Sequence, residues 1–264
     1  NNKTLRKVQL VQLEIAKEID RVCTENDIKC FLIGGSLLGA IRHKGFIPWD
    51  DDLDIGMLRK DYEKFVKIVS VSLNKKYKFI DWKSDSNYPH PMGKVIKKGT
   101  IYKESKRNDL GEQGIWVDIF PYDYYESAEV IKKLQWERET KDAKNRYPKG
   151  SFKRMALGFY ANVILGLFMR KIKKQRKYLI EHRKELNSRD YRYFSYSADA
   201  GYIYPTTQDE ILPVKLVENV FEGHTFCIPC KYKKLLEVTY GTTYMELPPV
   251  NQRKTHAKRI EIRL

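Results

Sequence analysis

The sequence predicts an α+β fold, organised as one domain with a helical, strongly basic insertion. Three observations carry this expectation. A long run with helical spacing opens the chain. Short apolar runs, bounded by glycine, proline or polar clusters, follow it. A basic pattern with helical spacing then fills residues 128 to about 193.

The elements can be taken in order. Leu5, Val8, Val11, Ile15, Ile19 and Val22 recur every three or four residues, so residues 4–24 read as an amphipathic helix that ends at Glu25-Asn26-Asp27. Cys30-Phe31-Leu32-Ile33 reads as a buried strand. Gly34-Gly35-Ser36 follows directly, and Leu37–Arg42 begins a helix. Lys44-Gly45 and Pro48 make a loop before a second short strand at Leu53-Asp54-Ile55. Residues 61–73 read as a helix with Tyr62, Phe65, Val66 and Val69 on one face. Residues 77–125 suit strands, including Gly114–Phe120. The last seventy residues read as loops with a short helix near Tyr232–Tyr240. Internal repeats and low-complexity linkers are not seen.

Composition narrows the class. Of 264 residues, 42% are hydrophobic and 32% charged, which suits a soluble globular protein and excludes a disordered one. No segment reaches the roughly 18 consecutive apolar residues of a membrane span. The first twenty residues lack the pattern of a secretory signal. Fifty Lys and Arg against 34 Asp and Glu leave a net charge of +16, which favours an anionic partner. Cys23, Cys30, Cys227 and Cys230 are too few for a disulfide scaffold. They are expected to be structural thiols in a reducing compartment.

The chemistry concentrates in Trp49-Asp50-Asp51-Asp52-Leu53-Asp54-Ile55. On an extended chain, alternate residues share a face, so Asp50, Asp52 and Asp54 converge while Leu53 and Ile55 turn to the core. Converging carboxylates beside apolar neighbours repel one another unless a cation neutralises them, and a hard divalent ion takes oxygen ligands. The plain alternative is a solvated acidic turn. Upstream, Gly34-Gly35-Ser36 places backbone N–H groups at a helix N-terminus, where a phosphate can approach closely. Arg42, His43 and Lys44 lie nearby to neutralise phosphate oxygens. Asp118, in Trp116-Val117-Asp118-Ile119-Phe120-Pro121, is flanked by residues that want burial. It needs a partner, and an ion shared with Asp52 and Asp54 would supply one; backbone N–H groups at a strand end are the alternative.

The stretch from Phe31 to Ile55 resembles the core motif of the LicD/fukutin-related phosphotransferases. The resemblance continues through Arg59-Lys60-Asp61-Tyr62 and Val117–Pro121, then Phe221-Glu222-Gly223, Tyr240-Gly241, Tyr244-Met245, Leu247-Pro248-Pro249, Arg253 and His256. It runs from about residue 5 to 256, with 128–193 the least typical part, and implies a nucleotidyltransferase-like mixed sheet flanked by helices; the single domain is expected to cover residues 1–264. It also implies transfer of a substituted phosphate, such as phosphocholine, from a CDP-alcohol to a glycan hydroxyl of a teichoic acid or lipopolysaccharide precursor. Gly34, Gly35 and Ser36 match the donor-phosphate motif, Asp52 and Asp54 the metal pair, and Asp118 the third acidic position. The expected cofactor is Mg²⁺ or Mn²⁺. Asp118 is expected to take the acceptor's proton or to bind a second ion. Arg42, His43, Lys44, Arg253 and His256 are the candidate donor contacts.

Residues 151–177 hold an apolar stretch between basic clusters, too short to span a bilayer but suited to its anionic surface. A core helix with a solvated basic tail is the alternative. The expected location is the cytoplasm, peripheral at the inner face of the cell membrane. Trp82, Tyr88, Trp116, Tyr122, Tyr124 and Tyr125 are candidates for a choline cage. Two rival functions use the same features. One is nucleotide transfer from a nucleoside triphosphate with the same three Asp. The other is nucleic-acid binding through the positive charge, which no recognition motif supports, so no nucleic-acid partner is expected.

Overall fold

The apolar stripe at the start of the chain folds as α1 (Asn2–Glu25), and each of its six marker residues is buried. Each aliphatic side chain so removed from water contributes roughly 1.5–3 kcal/mol. The computed structural model describes residues 2–81, 84, 92–102, 114–125, 151–159, 193–196, 215–253, 255 and 262–263. They fall into two compact units, residues 1–123 with 210–264, and residues 124–209.

In the first unit, α1 leads to β1 (Cys30–Leu32), α2 (Gly34–Arg42), β2 (Asp54–Leu58) and α3 (Arg59–Ser72). Next come β3 (Tyr77–Ile80), β4 (Gly93–Lys97), β5 (Ile101–Tyr102) and β6 (Trp116–Tyr125), whose last two residues pass into the second unit. The main sheet runs β1-β2-β6-β4-β3. It is mixed: β2 and β6 are parallel, whereas β1–β2, β6–β4 and β4–β3 are antiparallel. The helices α1 and α3 pack on the sheet and on each other. This is the expected α+β architecture, a mixed sheet flanked by helices.

In the second unit, the described elements are α4 (Phe152–Phe159) and β7 (Tyr193–Tyr196). The rest of the basic insertion expected over 128–193 lies outside the described residues.

The C-terminal part differs from the sequence reading. A hairpin of β8 (Leu216–Phe221) and β9 (His224–Pro229) stands where loops are expected, before α5 (Tyr232–Tyr240), a short 3-10 helix at Val250–Gln252, and β10 (Ile262–Arg263). Its turn, Glu222-Gly223, has φ of 52° and 72°, the mirror-image geometry that matches strand twist. The strand signal was weak because Val217 and Val220 stay exposed while Phe221, Phe226 and Ile228 are buried.

Candidate active site

The site is built where β2 and β6 run side by side. Their register pairs Asp54 with Asp118 and Ile55 with Ile119. Paired residues of neighbouring strands share a face, so the two carboxylates stand on one side of the sheet and the two isoleucines on the other. Ile55 and Ile119 are fully buried in the core. The apolar side thus fixes the register, and the register fixes which carboxylates meet. Backbone bonds seal the arrangement: Asp118 N–H donates to Leu53 O at 3.2 Å, and Ile33 N–H to Asp54 O at 3.3 Å.

Asp50, Asp51 and Asp52 lie in the extended loop just before β2 rather than in the strand. Buried glutamines of α1 hold this loop. Gln9 Nε2 donates to the carbonyls of Ile47 and Asp50, and Gln12 Nε2 donates to that of Asp51 at 2.8 Å. Asp51 points away into the protein, is 2% exposed, and accepts from the Tyr102 hydroxyl at 2.7 Å. Burial drives the Asp52 carboxyl well above the usual carboxylate range. The charges of Asp54 and Asp50 and a hydrogen bond to Asp50 push it further the same way.

The glycine turn borders these carboxylates. No side chain caps the N-terminus of α2. Ser36 is buried, and its Oγ accepts from Asp54 N–H at 2.9 Å, tying the glycine turn to β2. A Cβ on Gly35 would stand 2.6 Å from Asp50 Oδ2, so glycine there lets the two segments approach. Gly34, with φ of 52°, is held in the left-handed region.

The basic candidates gather around Trp49. Arg42 Nε contacts His43 Nε2 at 3.0 Å, the His43 ring meets Trp49 edge-on at 6.0 Å, and the Arg253 guanidinium lies 5.1 Å over the Trp49 ring. Burial and the neighbouring Arg42 lower the His43 pKa, favouring the neutral imidazole. Arg42 Nη1 is already engaged by the carbonyls of Tyr244 and Glu246, and Arg253 Nε by that of Pro248. Lys44 is exposed, with φ of 59°. His256, Trp82 and Tyr88 lie outside the described residues. Among the other aromatic candidates, Trp116 and Tyr122 are buried by packing, and nothing is described of the Tyr124 and Tyr125 side chains.

Three contacts escaped the sequence reading, although Trp116 and Trp49 themselves were singled out there. Lys94 stands opposite Asp118 across the antiparallel β4–β6 pair, with Nζ 3.2 Å from Oδ1. Trp116, two residues before Asp118 on the same face, donates from Nε1 to Oδ2 at 3.0 Å. Trp49 joins the basic candidates to the acidic loop. The available signals were a lysine inside a strand-like apolar run and a tryptophan at the i−2 position of a buried Asp.

The donor set fits a hard divalent ion by its chemistry. It consists of carboxylate oxygens on adjacent segments, one of them, on Asp52, half-buried and repelled by its neighbours. Another, Asp118 Oδ1, is buried without a directed hydrogen bond. Among the described residues, no three His, Cys, Asp or Glu groups converge as ligands.

The family model described as LicD/FKTN/FKRP, nucleotidyltransferase domain, matches residues 27–159, just over half of the chain. The chain belongs to this family. It is 29% identical to the lipopolysaccharide cholinephosphotransferase LicD of Haemophilus influenzae, over 96% of both chains. It is 44% identical over 48 residues to the human ribitol 5-phosphate transferase FKRP, covering 18% of this chain and 10% of that one. As a member of the LicD family, the chain is a phosphotransferase.

Proposed function

We propose that the protein transfers phosphocholine, or a similarly substituted phosphate, from a CDP-alcohol to a sugar hydroxyl of a cell-surface glycan precursor such as teichoic acid, releasing CMP. The observation that carries this reading is the in-register Asp54–Asp118 pair beside Asp52, next to a helix N-terminus without a side-chain cap. Similarity to LicD over nearly the whole chain supports phosphocholine in particular.

Asp52, Asp54 and Asp118 would hold Mg²⁺ or Mn²⁺. The ion would supply neutralisation of diphosphate charge. The turn at Gly34-Gly35-Ser36 offers backbone N–H groups to the donor phosphates, and the helix dipole favours their charge. Arg253 and His43, around Trp49, offer further donor contacts, with Lys44 and His256 as additional candidates. The acceptor oxygen attacks the phosphorus that bears the alcohol. The bond from that phosphorus to the bridging oxygen breaks, and CMP leaves with the electron pair. The hydroxyl proton passes to a carboxylate oxygen of the acidic cluster. Such transfer needs positioning and charge neutralisation more than covalent help.

Contact with an anionic membrane surface is part of the same proposal. On α4, Phe152, Met155 and Phe159 are 82%, 64% and 65% exposed, at spacings that put them on one stripe. No helix among the described residues is long and apolar enough to cross a membrane.

The test is product analysis with a panel of CDP-alcohols and lipid-linked glycan acceptors. CMP released together with a phosphodiester-modified glycan is expected. Pyrophosphate released from a nucleoside triphosphate, with no CMP from any CDP-alcohol, would favour nucleotide transfer instead.

A further inference from the structure

We infer that Gln9 and Gln12 of α1 are positioning residues for the transfer reaction: they hold the backbone of the acidic loop and so set where Asp50 and Asp52 stand. The inference rests on the reading of that loop as part of the catalytic centre.

The anchors form one stripe. Arg6, Gln9 and Gln12 are spaced by three on α1, which puts them on one face at a rise of about 4.5 Å per step. They meet the motif loop in the same order. Arg6 pairs with Glu222, whose Oε1 accepts from Phe46 N–H at 3.2 Å. Gln9 Nε2 donates to Ile47 O at 3.3 Å and to Asp50 O at 2.9 Å. Gln12 Nε2 donates to Asp51 O at 2.8 Å. Asp50, Asp51 and Asp52 precede β2 and lie outside its ladders, so their placement depends on side chains from elsewhere. The carbonyls of Asp50 and Asp51 belong to the two peptide planes that flank Asp51. Fixing both planes fixes the path of the chain into Asp52. A displacement of about 1 Å at a reacting group can cost roughly 10²-fold in rate.

The orientation of the Gln9 amide is itself fixed. Arg6 Nη1 donates to Gln9 Oε1 at 3.2 Å. A guanidinium only donates and a carbonyl only accepts, so Gln9 Nε2 must face the loop. Glu222, Arg6 and Gln9 thus form a chain of contacts that ends on the acidic loop. Gln12 differs. It is 2% exposed, and its Oε1 is buried with no hydrogen-bond partner. A buried orphan acceptor costs stability, which an apolar side chain of similar length would avoid. What glutamine supplies at this position is the directed bond to Asp51 O.

The test compares Gln12→Met, Gln9→Met and Asp52→Asn with the parent on the full chain, using CDP-choline and a lipid-linked glycan acceptor. Gln12→Met should keep a urea midpoint near the parent's, because one orphan acceptor, the amide oxygen, is exchanged for another, the Asp51 carbonyl. Its kcat should fall about tenfold or more while KM for CDP-choline stays within about twofold. Amide hydrogen exchange should be faster in peptides covering residues 50–54 and unchanged in those covering β4. Gln9→Met should act in the same direction and more strongly, and adding Arg6→Met to it should cost no further kcat. Where Gln9→Met fails to fold by circular dichroism, Gln12→Met carries the test. Parental kcat in the glutamine variants, with Asp52→Asn inactive, would overturn the inference. So would a loss of kcat that follows the urea midpoint with exchange faster throughout, the mark of a purely structural role. Parental turnover in Asp52→Asn would remove the acidic loop from catalysis and the inference with it. If the parent releases no CMP from CDP-choline, only the proposed donor fails, and exchange at residues 50–54 decides: faster exchange in the variants supports the anchoring role, and parental exchange overturns it.

Discussion

Asp54 and Asp118 are lateral partners in the parallel β2–β6 pair, and the residues that follow them, Ile55 and Ile119, are fully buried on the opposite face. Two carboxylates fixed side by side are unfavourable alone and become favourable around a shared cation. Asp54→Asn and Asp118→Asn should therefore both weaken Mn²⁺ binding, and Asp52→Asn likewise. Transfer should fall by roughly 10²–10³-fold, the rate equivalent of losing several kcal/mol of charge stabilisation. The thermal midpoint should stay near the parent's for Asp54→Asn. If Asp118→Asn kept parental Mn²⁺ affinity while losing turnover, Asp118 would serve the acceptor rather than the ion.

Gly35 and Gly39 separate function from stability within one helix. A Cβ on Gly39 would collide with the carbonyl oxygen of Gly45, which is backbone and cannot swing away. Gly39→Ala should cost about 1–3 kcal/mol of stability through overpacking. A Cβ on Gly35 would meet only the side-chain oxygen of Asp50, which can rotate. Gly35→Ala should remain within about 1 kcal/mol of the parent in urea titration, yet lose donor binding where the phosphate is to approach. Parental KM for the CDP-alcohol in Gly35→Ala would remove the glycine turn from the donor site.

The acidic motif was legible because its parts are local. Asp50 to Asp54 and Gly34 to Ser36 lie on adjoining loops and strands, so spacing alone suggested their convergence. What escaped is long-range. Lys94 reaches Asp118 only through the β4–β6 register, which nothing near residue 94 encodes. Asp51 sits among the other acids in sequence yet turns inward to Tyr102, because a one-residue step along an extended chain reverses the face. Arg42 lies in the motif, but its Nη1 holds carbonyls of the C-terminal segment, 202 and 204 residues away. The β8–β9 hairpin was missed because its exposed valines blurred the alternation. Its purpose is structural: Glu222 in its turn pairs with Arg6 at 2.6 Å and accepts from Phe46 N–H at 3.2 Å, bracing the motif loop.

Acid stability should depend on Glu14. Burial opposes its ionisation, but hydrogen bonds from Lys76, Lys97 and Tyr77 outweigh that and bring its pKa to about 2. The Arg6 hydrogen bond also holds Glu222 below the usual range. A depressed folded-state pKa means that the unfolded chain binds the proton more readily. The stabilisation is therefore full above the unfolded value of about 4.3 and is lost as pH falls toward 2. Glu14→Gln should be less stable than the parent at pH 7, and the gap should close by pH 2. Urea midpoints at both pH values measure this, and an equal gap at both would show that packing, not charge, is what Glu14 supplies.

Tyr102 and Asp51 test the claim that one acid of the cluster is structural. Asp51 is 2% exposed and accepts the Tyr102 hydroxyl at 2.7 Å. Removing the donor while keeping the ring leaves a buried carboxylate short of a partner, which costs about 1–3 kcal/mol. Tyr102→Phe should therefore lower the urea midpoint but leave Mn²⁺ affinity within about twofold of the parent. A large loss of Mn²⁺ affinity in Tyr102→Phe, without loss of stability, would bring Asp51 into the ion site.

The exposed stripe of α4 decides between a membrane-facing and a purely soluble role for the second unit. Phe152, Met155 and Phe159 present large apolar groups to solvent on one side of a short helix. An aqueous surface gains nothing from such an arrangement, whereas an interfacial helix buries that side among headgroups, and basic residues later in the sequence can meet anionic lipid. The sequence supplies those charges in Arg170, Lys171, Lys173, Lys174, Arg176 and Lys177. The two contributions separate by experiment. Replacing Lys171, Lys173 and Lys174 with Glu should release the chain from anionic vesicles, since each basic contact is worth on the order of 1 kcal/mol there and salt should mimic the effect. Replacing Phe152, Met155 and Phe159 with Ser should also release it, but salt should not reproduce that loss, because apolar burial is not screened. Co-sedimentation with vesicles of defined anionic content, over a salt series, reads both. Equal binding by the serine variant and the parent would assign the stripe to protein packing and leave the membrane contact to charge alone.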